Sequence, residues 1–347
     1  MDQWVLASGW QGNQMKVMEV TINDQGDGLY MDRLLFYLQD QLPFQITSLQ
    51  PLRNHVFLLE SKDFTKYIVK GYPSYRRLRT QVNITMDLKK HGFPHTYSFY
   101  NLTNGSPLLF EQTFYGIIEY LPPSAHSFTY EGHDNRVEAL ALLHQFHEVG
   151  RVLVEKYNGR LKKQHLLNKW RERTIAFLNQ ISFIKFFVQK EIIEEILQWA
   201  DWSFRGLEQE DGAIDCPTVL HGDLAHHNFL RIEGEELYLI DFDLITIGDR
   251  SLDYLQFANR ILPHIDWSLE RLVKLELIRP FLHSKFFLYG LAFPSDIFRE
   301  WNRLIREKHY NNPIIVRQVL DLTVGQFFER ERFIKELKLA LSELSQK

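Results

Sequence analysis

The segment that most restricts this chain is residues 219–243, VLHGDLAHHNFLRIEGEELYLIDFD, a strand-and-turn island set within helical periodicity. Thr218–Leu220 reads as a short strand running into His221-Gly222-Asp223. Asn228 then precedes a strand over Phe229–Ile232, a turn at Glu233-Gly234-Glu235 and a return strand, Leu237–Ile240, ending at Asp241. Such a hairpin sets the loop that holds Asp223 and Asn228 beside the end of the return strand, so Asp223, Asn228 and Asp241 converge on one edge. Two carboxylates and an amide oxygen are hard oxygen ligands, suited to Mg2+ rather than to zinc or copper. Phosphoryl transfer uses a set of this kind. One carboxylate accepts the proton of an attacking hydroxyl, while an amide and a second carboxylate hold metal ions against nucleotide phosphates. Asp223 takes the base role on this reading, and Asn228 and Asp241 take the metal. The bland alternative is that the same residues only cap turns.

The rest of the chain arranges itself around that island. Residues 55–60 and 65–70 are short apolar runs separated by Ser61-Lys62-Asp63, which predicts a hairpin. Residues 75–91 carry apolar side chains at helical spacing and stop at Gly92 and Pro94. Leu108–Leu121 reads as two strands around a turn, closed by Pro122-Pro123. One helix on a small sheet accounts for this first third. From Asp134 the pattern is helical, over 136–150, 166–180 and 182–200, then near Ser251–Leu262, over 269–291 and over 314–343. The expected fold class is α+β and bilobal. Residues 1–118 form a β-rich lobe, 119–123 a hinge, and 124–347 a helical lobe that contains the island.

Composition excludes several classes. There are 40 Lys and Arg against 44 Asp and Glu, so the basic excess of a dedicated nucleic-acid binder is missing. Hydrophobic residues make up 45% of the chain, too many for disorder. Cys216 stands alone, so no internal disulfide can form, and a small hydrophobe ahead of a strand explains it better than a reactive thiol. The N-terminus lacks the charged cap and apolar stretch of a secretory leader, and no run of about 18 apolar residues predicts a membrane span. The expectation is a soluble protein made inside the cell.

The HGDLAHHN and LIDFD segments resemble the catalytic and metal-binding loops of the aminoglycoside phosphotransferase and choline kinase superfamily. Asp249-Arg-Ser-Leu-Asp253-Tyr-Leu resembles the acidic pair that opens the family's next helix. The likeness is nearest to spore coat kinase-like proteins of the CotS and YutH type, through HGDLAHHNFL and IDFDLITIGDRSLDYL. It implies a protein-kinase-like fold, ATP and Mg2+ as cofactors, a small-molecule acceptor, and Asp253 bracing the catalytic loop. It also implies other coat proteins as partners, in a protein made in the cytoplasm and placed in the spore coat.

The resemblance requires a lysine on an N-terminal strand to hold the α- and β-phosphates, and Lys70 at the end of TKYIVK takes that place. Counting back from Gly92, the helix position that pairs with this lysine is Gln81, which can hydrogen-bond an ammonium but cannot neutralise it. Ile118-Glu119-Tyr120-Leu121 resembles the hinge whose main chain meets adenine, which assigns Glu119 and Leu121 to the nucleotide. The phosphate-covering loop departs from the family. SLQPLRNHVFLLE has no glycine, leaving Arg53, Asn54 and His55 as side-chain substitutes. His221, His226 and His227 read poorly as a zinc site, because adjacent histidines diverge and no cysteine ligand is close. His221 is expected to anchor the loop by a hydrogen bond, and His144 and His147 to pack at a core edge. The functional reading is a Mg-ATP-dependent kinase with an unknown hydroxyl acceptor. The alternatives are a pseudokinase scaffold in the spore coat and, more remotely, a hydrolase.

Overall fold

Leu34, Leu38 and Leu42 recur every four positions, and burying that stripe makes the first helix among the described residues. The computed structural model describes residues 27–101, 107–210 and 216–346. The N-terminal stretch read for a leader lies outside them. Helix α1 (Asp27–Gln41) was not anticipated by the one-helix reading of the first third, although its leucine spacing signals it. It packs on Phe57, Leu59, Val69 and Ile117 of a sheet formed by β1 (Ile46–Arg53), β2 (Val56–Ser61), β3 (Lys66–Tyr72), β4 (Leu108–Phe110) and β5 (Thr113–Glu119). The strand order is β1-β2-β3-β5-β4 and every pair is antiparallel.

Helix α2 (Tyr75–Lys90) starts where the Ser74 hydroxyl accepts the Arg77 N–H at 3.3 Å, and it stops near Gly92 in the left-handed region. A β-carbon at Gly116 of β5 would sit 2.8 Å from Leu78 of α2, so glycine permits that approach. Tyr115 and Ile117 lie in the α1 core cluster while Gly116 meets α2. With side chains alternating along a strand, the two helices cover opposite faces of the sheet.

The chain continues through α3 (His133–Tyr157), α4 (Leu166–Asn179), the single turn α5 (Ile181–Ile184) and α6 (Lys190–Gln209). Strand β6 (Pro217–Leu220) precedes the hairpin β7 (Phe229–Arg231) and β8 (Leu237–Leu239), and β9 (Thr246–Asp249) returns to pair with β6. Then come α7 (Ser251–Ile261), α8 (Leu269–Val273), α9 (Lys285–Ala292), α10 (Ser295–Arg306), α11 (Pro313–Leu320) and α12 (Phe327–Ser345). Two compact units result. One runs to Phe128 and takes in His226–Asp243, while the other comprises Thr129–Ala225 and Leu244–Lys347.

Three helical expectations break into pieces. The run 182–200 is interrupted between α5 and α6, where Ile184 and Val188 go inside while Lys185 and Phe186 stay out. The run 269–291 divides into α8, a 3-10 turn at Arg279–His283 with Pro280 at its start, and α9, and a π-helical turn at Asp321–Gly325 divides 314–343.

The aromatic excess is spent largely in the helical unit. Trp170 stacks on Phe293 at 4.3 Å, and Phe177 meets Phe298 at 4.4 Å. Trp301 is fully buried with its indole N–H on the Thr323 hydroxyl at 3.0 Å, and Tyr289 lies against Gly206. Arg330 forks onto Asp296 while stacked 3.9 Å over Trp267, and it holds the Asp296 carboxyl below its usual value against the opposing effect of burial. Replacing Arg330 by Ala leaves that carboxylate without its partner and is expected to cost about 3–5 kcal/mol. Urea unfolding of the two proteins measures it, and an unchanged midpoint would refute this account of the core.

Candidate active site

The turn after β6 hangs on one buried carboxylate. Asp253, in the first turn of α7, accepts the His221 N–H at 2.8 Å, the Gly222 N–H at 3.1 Å and the His147 Nε2–H at 3.0 Å. Burial raises its pKa, but the histidine and the N–H groups outweigh that and leave it below the ordinary 3.8. Gly222 adopts φ +78°, and a β-carbon there would stand 2.3 Å from the Leu244 carbonyl oxygen, so only glycine allows the bend. Gln256 of α7 fastens the next bonds, accepting the Leu224 N–H and donating to the Gly222 carbonyl at 3.0 Å. Between those anchors, Asp223 donates its N–H to His221 Nδ1 at 3.3 Å and directs its carboxylate to Arg260 at 3.2 Å.

A second constellation lies in the sheet unit. The hairpin register sets Phe229 opposite Leu239, and the Ile240 N–H donates to the Asn228 carbonyl at 2.9 Å. Asn228 and Asp241 are therefore neighbours at the open end of the hairpin. Asp241 has φ +67°, unusual for a residue with a β-carbon, and that bend aims its carboxylate at β3. Lys70 bridges Asp241 at 2.8 Å and Asp243 at 2.9 Å, and Arg53 of β1 reaches the other Asp241 oxygen at 3.0 Å. Burial works against the Asp241 charge, but the two cations hold its carboxyl well below the usual range. Asp243 moves the other way, raised by burial and by the Asp241 charge beside it.

Gln81 does not share in the lysine's ion pairs. Its amide N–H donates to the Phe242 carbonyl at 2.7 Å, while its Oε1 is buried with no hydrogen-bond partner. The counter-charge for Lys70 is supplied instead by Asp241 and Asp243. Glu119 ends β5, where its carboxylate accepts the Ser98 N–H at 2.6 Å and Lys89 at 3.0 Å. Leu121 is buried just beyond. Among the described residues no group of three or more His, Cys, Asp or Glu side chains is placed to hold a metal ion.

Asp243, Arg260, Gln256 and the Asp253 contact of His147 carry no role in the sequence reading. Asp243 was visible as the second acid of the Ile-Asp-Phe-Asp string. The other three lie 33 to 76 positions from Asp223 with no motif around them. Arg53 was singled out for phosphate, and here it is bound to Asp241.

A small antiparallel sheet with a catalytic-type turn, an ion-paired strand lysine and an Asn/Asp hairpin defines the kinase-like phosphotransferases. The family model described as "Phosphotransferase enzyme family" matches residues 49–278, and the chain belongs to that family. An aminoglycoside phosphotransferase from Alicyclobacillus acidocaldarius superposes with a TM-score of 0.68 at 16% identity, covering 89% of this chain and 95% of its own. A spectinomycin phosphotransferase in complex with ADP and spectinomycin gives 0.59 at 16% identity, over 91% and 98% of the two chains. Choline kinase from Streptococcus pneumoniae gives 0.50 at 14%, over 88% and 99%. At these identities the likeness is one of fold, the bilobal α+β kinase-like fold. No curated protein matches the chain by sequence.

Asp253→Asn tests the brace. Asparagine offers one acceptor oxygen where the carboxylate offers two, so at least one buried N–H loses its partner at a cost of about 1–3 kcal/mol. Because the folded pKa is lowered, the Asp253 contribution is complete above the ordinary carboxylate value and fades as pH falls through the folded one. Urea midpoints that coincide for the two proteins at neutral pH would rule the brace out.

Proposed function

We propose that this protein is a Mg-ATP-dependent small-molecule kinase in which Asp223 is the base. The reading is carried by the Lys70 ammonium paired with both acids of the Ile-Asp-Phe-Asp string. The relatives add support, since a spectinomycin phosphotransferase of the same fold has been captured with ADP. An acceptor hydroxyl donates its proton to Asp223 as its oxygen bonds to the γ-phosphorus. The bond from that phosphorus to the bridging oxygen breaks, and ADP leaves with the electron pair. Lys70 then serves the α- and β-phosphates, with Glu119 and Leu121 in the segment that meets the adenine.

Asn228 and Asp241 would hold Mg2+, and the residues fit that ion. They offer hard oxygen donors, and Asp241 and Asp243 crowd two carboxylates onto one ammonium. Held there, such an ion would supply positive charge against the nucleotide phosphates. His221 and Asp253 act on the position of Asp223 rather than on substrate. The finer likeness to spore coat kinase-like proteins, carried by HGDLAHHNFL and IDFDLITIGDRSLDYL, belongs to the same proposal, with other coat proteins as partners.

Mg-ATP is expected to raise the melting temperature, while ATP with a chelator does little, and Asp241→Asn should remove most of the difference. At about 1 mM ATP, a site with a Kd near 10 µM would gain roughly 2.7 kcal/mol. Absence of nucleotide heat in calorimetry at millimolar ATP would favour the scaffold reading instead. Asp223→Asn should keep nucleotide binding and lower transfer by at least about a hundredfold. Turnover that survives this change would remove Asp223 from the base role.

A further inference from the structure

Asp223 sits among cations of the helical unit. Arg260, in the last turn of α7, holds its carboxylate. Lys169 and Arg173 are four residues apart on α4 and so share one of its faces. Arg299 stands on α10, which is tied to α4 by the Phe177–Phe298 ring contact and by the Asn302 amide on the Arg173 carbonyl at 2.9 Å. The charges of Arg173, Asp223, Arg299 and Arg260 all act on the Lys169 ammonium, which puts the five groups in one neighbourhood.

The acids nearby are already engaged. Glu300 is shared by Arg299 at 2.9 Å and Arg303 at 2.8 Å, Asp296 is taken by Arg330, and Asp223 by Arg260. Among the described residues no carboxylate pairs with Lys169 or Arg173. Both are also half-buried. Burial, and then the neighbouring cations, lowers Lys169 to about 8 and Arg173 to about 10. Partly dehydrated like charges held together without counter-ions are unfavourable until a ligand of opposite sign completes the set. A cationic acceptor would meet repulsion in the same place.

We propose that the acceptor is an anionic alcohol whose carboxylate or phosphate group is held by Lys169 and Arg173 while its hydroxyl faces Asp223. The assignment of a hydroxyl to Asp223 rests on the kinase reading; the anion site itself does not. Arginine offers such a group a two-pronged fork and lysine a point charge, which suits either anion. Binding the anion favours the charged form of Lys169. It therefore takes up a fraction of a proton near pH 8 and weakens as the pH rises beyond that, with Arg173, Asp223, Arg260 and Arg299 the charged groups that act on Lys169.

The test is calorimetric titration of the full chain at about pH 7.5 with glucose 6-phosphate, gluconate, glucose and kanamycin, with and without Mg-ADP. At least one anion should bind about tenfold or more tightly than glucose, and kanamycin, a polycation, should give no heat. Whether the phosphate or the carboxylate arm is tighter identifies the anion. The Lys169→Gln/Arg173→Gln variant should weaken anion binding by at least about tenfold with Mg-ADP affinity and melting temperature retained. Lys169→Arg should keep the binding and lose the proton uptake. Glucose or kanamycin binding as tightly as the anions, no binding by either anion, or unchanged binding in the double variant would overturn the proposal. Anion binding without nucleotide binding would sink the kinase reading alone, and nucleotide binding without anion binding would sink this inference alone.

Discussion

The catalytic-type turn depends on a single buried carboxylate. Residues 221–224 bend too sharply to satisfy their own main chain, and their N–H groups would be stranded in an apolar interior without Asp253 and Gln256. Asp253 can serve this purpose because α7 begins two residues earlier and β9 pairs with β6, which brings the helix start beside the turn. The charge on Asp253 is in turn held by His147 from α3, a helix whose Gly150 lets it lie against β6. Two helices and a two-stranded ribbon thus cooperate to hold one aspartate, Asp223, in a fixed place.

The sheet unit solves a different problem, that of placing like charges close together. Asp241 and Asp243 repel, and burial disfavours both as carboxylates. Lys70 and Arg53 offset this for Asp241 but leave Asp243 short of compensation, so the site retains an unmet demand for positive charge.

Much of this was readable before the fold was known, and the part that was not has a common cause. Local signals carried the β2–β3 hairpin, α2, the β7–β8 hairpin and the motif acids, since each is spelled by residues within about ten positions of one another. Three kinds of fact were hidden. The stripe of α1 was overlooked among strand-like neighbours. Long apolar periodicity concealed the breaks at 185–189 and 274–284 and the π turn at Asp321–Gly325. Partner choice was hidden most completely. Lys70 lies 171 positions from Asp241, and nothing near Gln81 told that its amide would go to the Phe242 carbonyl.

The charge around Asp223 belongs to the same hidden class. Counted along the chain, the protein is slightly acidic, with a net charge of −4, and that average says nothing about the field at a given point. Lys169 and Arg173 look in sequence like the solvated side of an amphipathic helix. Packing of α4 on α10 removes part of that solvent and adds Arg299, and α7 adds Arg260. Low-dielectric surroundings then make a few unpaired charges count for more than the dozens spread over the surface. The average over the chain and the field at one half-buried aspartate can therefore differ in sign. In this chain the charge around Asp223 is positive.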